Sequence, residues 1–176
     1  MLKFNTKNLI LISFLAALTG ILSQIALPLP FTPVPVNLAT LGVCLSGVLL
    51  GSKNGALSQI VYILLGILGI PVFSNFSSGI GILVGPTGGY ILGYVVAAFA
   101  IGLLTKQGLT KMPNYLISMT LGIILCYILG TIWFMIITKN TLYQSLIMCV
   151  LPFIPGDILK IVLASLLSVK LRPKLI

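Results

Sequence analysis

One acidic and one basic side chain lie three positions apart in the apolar stretch "LPFIPGDILKIVL" near the end of the chain. Asp157 is the only acidic residue among 176, and Lys160 follows it. A carboxylate only accepts hydrogen bonds and an ammonium group only donates them, so the two could together bind a ligand that carries both donors and acceptors. On a helix, positions i and i+3 project from the same face, which would also let the two charges pair with each other.

The composition indicates that this pair belongs to a membrane protein. Hydrophobic residues make up 59% of the chain and charged residues 6%, and the mean hydropathy is +1.23. A water-soluble domain could hardly cover so many apolar residues with polar surface. The sequence therefore predicts an all-α, multi-pass protein of the cell membrane, with residues 1–176 in a single integral membrane domain.

Six apolar segments come close to the length of a membrane-spanning helix, about 20 residues. The predicted helices cover residues 9–27, 38–50, 56–70, 90–105, 115–138 and 157–171. Two irregular stretches interrupt them. "PLPFTPVPV" follows the first helix and favours extended structure because of its prolines, and "PVFSNFSSGIGILVGPTGG", rich in Gly and Ser, follows the third. We expect a bundle of six transmembrane helices.

The positive charges predict how this bundle is oriented, because Lys and Arg in short loops concentrate on the cytoplasmic side. Eight of the ten fall on one predicted side: Lys3, Lys7, Lys53, Lys106, Lys111, Lys170, Arg172 and Lys174. Both termini are therefore expected to be cytoplasmic, and both irregular stretches are expected outside, where they would cap a cavity. Cations scattered singly over four loops do not indicate a nucleic-acid partner.

Asp157 is predicted on the outward side, in the first turn of the last helix, where the helix dipole favours a carboxylate. A charge within the hydrocarbon costs at least ~2.5 kcal/mol, which favours a functional role for the pair with Lys160. The alternative is a neutralised ion pair at the interface, with Lys160 reaching outward. Asn75 and Tyr90 are further ligand candidates because their predicted height matches that of Asp157. Other polar side chains are interpreted as helix contacts, namely those of Gln24, Tyr62, Tyr94, Tyr127 and Trp133.

The first helix carries two pairs of small residues at a spacing of four, Ala16 with Gly20 and Ser13 with Ala17. This spacing lets another helix approach closely. A helix of a second protein and a helix of this chain are about equally good candidates for that neighbour.

Several classes of protein are not favoured because the chain lacks their residues. With no His, one acidic residue and no G-x-S-x-G motif, there is no evident catalytic set, and we do not expect an enzyme. There is no G-x-x-x-x-G-K-[ST] motif either, so ATP-driven work would come from a partner. Cys44, Cys126 and Cys149 are isolated in the sequence, and we expect no metal site and no cofactor.

Three blocks of the sequence resemble one known family. They are "PLPFTPVPVNLATLGVCLSGVLLGSKNGALSQIVYILLGILGIPVF", "GPTGGYILGY" and "PGDILK". In their order and spacing they are similar to the BioY family, the biotin-specific substrate-binding subunits of energy-coupling factor transporters, over residues 9–171. The resemblance implies a six-helix protein that captures biotin from outside. It also implies a transmembrane coupling subunit and two cytoplasmic ATPases as partners.

The same resemblance assigns roles to particular residues. It implies that Asp157 and Lys160 contact the ligand, and that Asn75, Gly88, Gly89 and Tyr90 supply further contacts. The small-residue motif that meets the coupling subunit maps to Ala16 and Gly20, with Gly where the family more usually has Ala.

Two other functions remain open at this point. The chain could be a self-sufficient secondary carrier in which Asp157 couples transport to protons, and its uptake would then be sensitive to uncouplers. It could also be a membrane scaffold that binds no small ligand, with the first helix as its main functional element. The absence of evident inverted repeats disfavours the carrier.

Overall fold

The computed structural model describes residues 5–105 and 111–175, which form seven α-helices and one two-stranded β-sheet. In chain order, the elements are α1 (Thr6–Gln24), β1 (Ala26–Leu29), β2 (Thr32–Asn37), α2 (Ala39–Ile67), α3 (Ile80–Val84), α4 (Gly88–Leu104), α5 (Met112–Thr138), α6 (Leu142–Cys149) and α7 (Ile154–Leu175). A 3-10 turn covers Ser74–Phe76. Lys3 and Lys106 of the charge pattern lie outside the described residues.

Helix α2 reverses direction at Gly51. The backbone leaves helical geometry there, with a φ of 76°, a conformation that glycine adopts without a steric cost. Nε2 of Gln59 donates to Oγ of Ser46 over 2.9 Å, whereas thirteen positions of straight helix would separate these residues by about 20 Å. The two arms of α2 therefore pack side by side, as the sequence predicted for the segments on either side of "GSKNG".

The proline-rich stretch after α1 forms an antiparallel β-hairpin. Ala26 pairs with Asn37 and Leu27 with Val36, and the register is irregular between Leu27 and Leu29. Prolines lack the N–H that a sheet requires, which is consistent with a sheet of only two strands. The expected extended structure is present, and the fold is mostly helical, with this hairpin as an addition to the predicted helices. It also means that α1 ends at Gln24, three residues earlier than predicted.

Two short helices, α3 and α6, were not predicted. Helix α6 begins with a capping box, in which Thr141 Oγ1 accepts from the Gln144 N–H and Gln144 Oε1 accepts from the Thr141 N–H. Helices α6 and α7 then meet at an angle of 52°. This bent pair brings the start of α7 beside α5 and β2.

The bundle has two distinguishable ends. Lys7 Nζ donates to the carbonyl of Leu175 over 2.5 Å, and Arg172 Nη2 donates to that of Thr105 over 3.1 Å. The start of α1 and the ends of α4 and α7 thus lie together, at what we call the terminal end. The β-hairpin, the segment of residues 71–87 and the start of α7 gather at the opposite end, here called the loop end.

The outer surface of the bundle is apolar, as expected for side chains that face lipid. Examples that are at least 60% exposed are Ile10, Phe14, Leu103, Ile117 and Leu159. By length and hydropathy, α1, α2 and α5 could each cross a membrane, and the bent pair α6–α7 could count as a fourth span. That count treats α2 as one span, although its two arms are antiparallel and pack side by side. The protein is a membrane protein with several apolar helices.

Candidate ligand-binding cavity

A cavity of about 400 Å³ opens at the loop end. Its walls come from α2, α4, α5 and α7, from β2 and from the segment of residues 71–87. Six aromatic rings line it, those of Tyr62, Phe73, Tyr90, Tyr94, Tyr127 and Phe153. Tyr62 and Phe73 meet edge to face with their ring centroids 5.6 Å apart, a favoured aromatic geometry that stabilises this wall.

Lys160 lines this cavity, and its ammonium group is fully engaged. Nζ donates to Asp157 Oδ1 over 2.7 Å, to the Asn37 carbonyl over 2.7 Å and to Thr40 Oγ1 over 3.0 Å. An ammonium group has three N–H donors, and each has an acceptor here. A ligand group could bind Lys160 only by displacing one of these three partners.

Asp157 lies in the first turn of α7, and only 4% of the residue is exposed. Oδ1 accepts from Lys160 and from the Thr40 hydroxyl over 2.9 Å, and Oδ2 accepts from the Tyr127 hydroxyl. A carboxylate offers about four acceptor positions, so among the described residues Oδ2 keeps one for a further donor. A buried charge is tolerated only when it is paired and hydrogen-bonded, and this arrangement meets both conditions.

Asn37 ends strand β2 and connects this strand to the ion pair of Asp157 and Lys160. Its Oδ1 accepts from the Ala39 N–H over 3.0 Å, which satisfies a donor in the first turn of α2. Its own carbonyl is thereby held toward Lys160, and its Nδ2 donates to Ser74 Oγ over 2.6 Å. Asn37 thus links the ion pair, through its carbonyl, to the start of α2 and the irregular segment, through its side chain.

Two of the remaining ligand candidates from the sequence also line the cavity. The Tyr90 ring forms part of the wall, while its hydroxyl lies 3.3 Å from Thr131 Oγ1 and donates to the Cys149 carbonyl over 3.2 Å. Tyr90 therefore offers the ligand its ring, since its hydroxyl is held by α5 and α6. Asn75 is exposed and has left-handed backbone dihedrals, φ 57° and ψ 38°.

Gly88 and Gly89 do not line the cavity. A Cβ at Gly88 would collide with the Leu83 carbonyl, and a Cβ at Gly89 would collide with the Trp133 side chain. These two glycines let α4 begin in close contact with α3 and α5. Close packing is therefore the reason for the two glycines that end "GPTGG". They affect the cavity indirectly, because the start of α4 determines where Tyr90 lies.

Ala16 and Gly20 face the interior of the bundle. Ala16 is 1% exposed, and a Cβ at Gly20 would lie 3.2 Å from Cγ1 of Val72 in the same chain. This chain covers both residues, and their role as contacts of a partner stays a prediction. The small residues of α1 that are exposed are Ser13 and Ala17.

Sequence reasoning missed Asn37 and Thr40 and assigned Tyr127 to helix packing. Tyr62 and Tyr94 were also assigned to packing, and they line the cavity as well. The sequence contained only a weak indication of these contacts. A hydroxyl in an apolar helix indicates a polar neighbour, but which residue this is depends on how the helices pack.

Comparisons with known proteins identify the family to which this fold belongs. The model of the BioY family matches residues 1–176. The biotin transporter BioY of Thermotoga maritima is 38% identical over 144 residues, which are 82% of this chain and 84% of that protein. The probable biotin transporter BioY of Pyrococcus horikoshii is 39% identical over 166 residues, 94% of this chain and 96% of that protein.

Solved structures give the same result. The S-component for biotin from an ECF-type ABC transporter has a TM-score of 0.86 and 32% identity, covering 96% of this chain and 92% of that one. The S component of a bacterial ECF transporter, at 20% identity and a TM-score of 0.57, shares the fold. The chain therefore belongs to the BioY family.

Proposed function

We propose that this chain captures biotin as the substrate-binding subunit of an ATP-driven energy-coupling factor transporter, and so serves biotin uptake. The observation that carries the proposal is a buried carboxylate, Asp157, that keeps an acceptor position in a cavity lined by aromatic rings. The names of the similar proteins, biotin transporters and an S-component for biotin, support the same ligand. This role is binding and transport, without a catalysed reaction.

The chemistry of biotin suits these walls. Biotin carries two ureido N–H donors, a ureido carbonyl, an apolar bicyclic ring and a carboxylate tail. Asp157 can accept from a ureido N–H, and the aromatic wall can cover the ring. Lys160 has no spare donor, so its role is to pair with Asp157 and orient it. A second carboxylate beside Asp157 would be repelled, so the tail points to the mouth, where Asn75 is exposed.

The membrane topology that we propose is six crossings of the cell membrane in one integral domain, with both termini in the cytoplasm. The crossings are α1, the two arms of α2, α4, α5 and α7. Support comes from the reversal at Gly51 and from the charges at the terminal end, where Lys7 and Arg172 lie. The cavity then opens outward, toward the biotin to be captured.

The proposed partners are a transmembrane coupling subunit and two cytoplasmic ATPases. Neither ATP binding nor its hydrolysis can be assigned to this chain, which lacks a P-loop motif. On α1, Ser13 and Ala17 form an exposed groove of small residues, flanked by the exposed Phe14 and Ile21. A helix of the coupling subunit can approach closely at such a groove, so we propose Ser13 and Ala17 as a contact beside the predicted Ala16 and Gly20.

Calorimetric titration of the purified, detergent-solubilised chain with biotin tests the ligand, with thiamin and riboflavin as comparators. We expect saturable binding of biotin alone. Folded protein that does not bind biotin would contradict the proposal. Uptake by proteoliposomes then distinguishes the carrier: transport that requires the ATPases supports the subunit role, and uncoupler-sensitive transport by this chain alone would contradict it.

A further inference from the structure

The end of helix α1 is tied by hydrogen bonds to the segment that lines the cavity. Gln24 is the last residue of α1, and its Nε2 lies 3.2 Å from the Pro71 carbonyl oxygen and 3.1 Å from that of Phe73. Its Oε1 accepts from the Phe76 N–H over 2.9 Å. Both ends of the amide therefore contact one short stretch of irregular backbone, here called the wall segment (residues 71–77).

Ser23 contacts the same stretch from the neighbouring position. It is fully buried, and its hydroxyl donates to the Val72 carbonyl. Val72 also packs on Gly20, one turn earlier on α1. Two consecutive polar side chains at the end of α1 thus hold the backbone of the wall segment, which sequence reasoning did not anticipate for Gln24.

The wall segment has a backbone conformation that needs such support. Asn75 and Phe76 have φ values of 57° and 55°, in the left-handed region, which Asn adopts readily but a bulky residue such as Phe seldom does. Strained backbone of this kind persists only where its surroundings fix it. The Phe76 side chain is 72% exposed and cannot anchor the turn. The backbone N–H of Phe76, the strained residue itself, donates to Oε1 of Gln24.

The wall segment also shapes the cavity. Phe73, Ser74, Asn75 and Ser77 line it. Ser74 accepts from Asn37, whose carbonyl accepts from Lys160. A displacement of this backbone would therefore move one wall of the cavity. It would also disturb the contact between Asn37 and Lys160.

We infer that Gln24 is a positioning residue for ligand binding, which fixes the wall segment to the end of α1 and makes the two move together. The inference rests on the proposed function, since it concerns the same cavity. The inference goes beyond the proposed function because it links the cavity to a particular helix, α1. Because α1 also exposes Ser13 and Ala17, a protein that displaces α1 from outside would displace the cavity wall.

The substitution Gln24→Met tests this role, because methionine keeps the length of the side chain and removes its donor and acceptor. We expect about tenfold weaker biotin binding, mainly through faster dissociation, since hydrogen bonds to the wall are lost. Gln144→Met is the matched control, as Gln144 is exposed and caps α6. Unchanged affinity together with a lower melting temperature would reduce Gln24 to a structural residue and overturn the inference.

Hydrogen exchange at the Phe76 amide provides a readout that does not need the ligand. The amide should exchange faster in Gln24→Met than in the wild-type chain, and at the wild-type rate in Gln144→Met. Equal exchange in all three would overturn the inference. If the folded wild-type chain binds no biotin, the proposed function fails, and exchange at Phe76 still decides whether Gln24 holds the wall.

A double variant identifies the route by which Gln24 acts. Ser23→Ala holds the same backbone less firmly, so combined with Gln24→Met it should lower the affinity by less than the product of the single effects. Effects of Ser23→Ala and Gln24→Met that multiply in full would show that Gln24 does not act through the wall segment.

Discussion

Tyr127 of α5 donates a hydrogen bond to Oδ2 of Asp157, thirty positions later on α7. Asp157 Oδ1 is held by Lys160 and Thr40, so among the described residues Tyr127 supplies the contact that orients the other oxygen. The pair also joins two helices, α5 and α7, that both line an apolar groove. Tyr127 and Asp157 line both this groove and the cavity, and so form the wall between them.

The substitution Asp157→Asn should weaken biotin binding at least about tenfold, because a charge-assisted hydrogen bond contributes about 1.5–3 kcal/mol. The amide also presents a donor where the carboxylate offered only acceptors. Calorimetric titration measures the change. Affinity close to that of the wild type would remove Asp157 from the site.

The substitution Tyr127→Phe should weaken binding by a smaller factor, about fivefold, because it removes one hydrogen bond while the carboxylate stays charged. Tyr143→Phe is the control, since Tyr143 is 75% exposed on α6. The two variants are compared by titration under identical conditions. Tyr127→Phe with the affinity of Tyr143→Phe would show that Oδ2 needs no orienting partner.

The substitution Lys160→Met should destabilise the protein strongly, because it leaves the Asp157 carboxylate buried without its counter-charge. Breaking a buried pair in this way costs about 3–5 kcal/mol. Adding Asp157→Asn should restore part of the lost stability, since the remaining charge is then gone. Thermal unfolding in detergent measures both variants. A double variant less stable than Lys160→Met alone would contradict the pairing.

The substitution Gly102→Ala should destabilise the bundle by about 1–3 kcal/mol, the usual cost of forcing extra atoms into a packed contact. A Cβ at Gly102 would collide with the backbone of Gly51 and Ser52, where α2 reverses. Gly81→Ala is the control, because a Cβ there meets open space. If both variants melt at the same temperature, α4 does not pack on the reversal.

The double substitution Ser13→Leu with Ala17→Leu should prevent assembly with the coupling subunit and leave biotin affinity of the isolated chain unchanged. Large side chains on the exposed face would keep a partner helix from approaching closely. Co-purification after co-expression measures assembly. If the double variant still assembles, the coupling subunit contacts another face of the chain. A substitution to a larger side chain at the exposed Ile117 of α5 controls for added bulk.

Much of the fold followed from local sequence. Apolar runs located the long helices, the prolines after α1 predicted extended backbone, and "GSKNG" marked the reversal of α2, where Gly51 takes a positive φ. These features are local because backbone hydrogen bonding and the steric limits of Pro and Gly act over a few residues. The resemblance to the BioY family came from the same kind of local blocks.

The site was only partly accessible from the sequence. Asp157 and Lys160 were identifiable because a charge pair in an apolar segment is costly, and their spacing of three placed them together. Tyr127 and Thr40 could not be paired with them, because those contacts join residues 30 and 117 positions apart. The tight packing at Gly88 and Gly89 could not be read from the sequence, and their contact with the ligand stays a prediction.

The sequence by itself determined that this is a membrane protein, where its long helices lie and which residues are charged, because hydropathy and backbone sterics are properties of short segments. Only the tertiary structure decided which face of each helix is covered. A helix that is apolar on all sides carries no periodic signal for its buried face. For this reason the structure, and not the sequence, turned Ala16 and Gly20 inward, exposed Ser13 and Ala17, and brought Gln24 to the cavity wall.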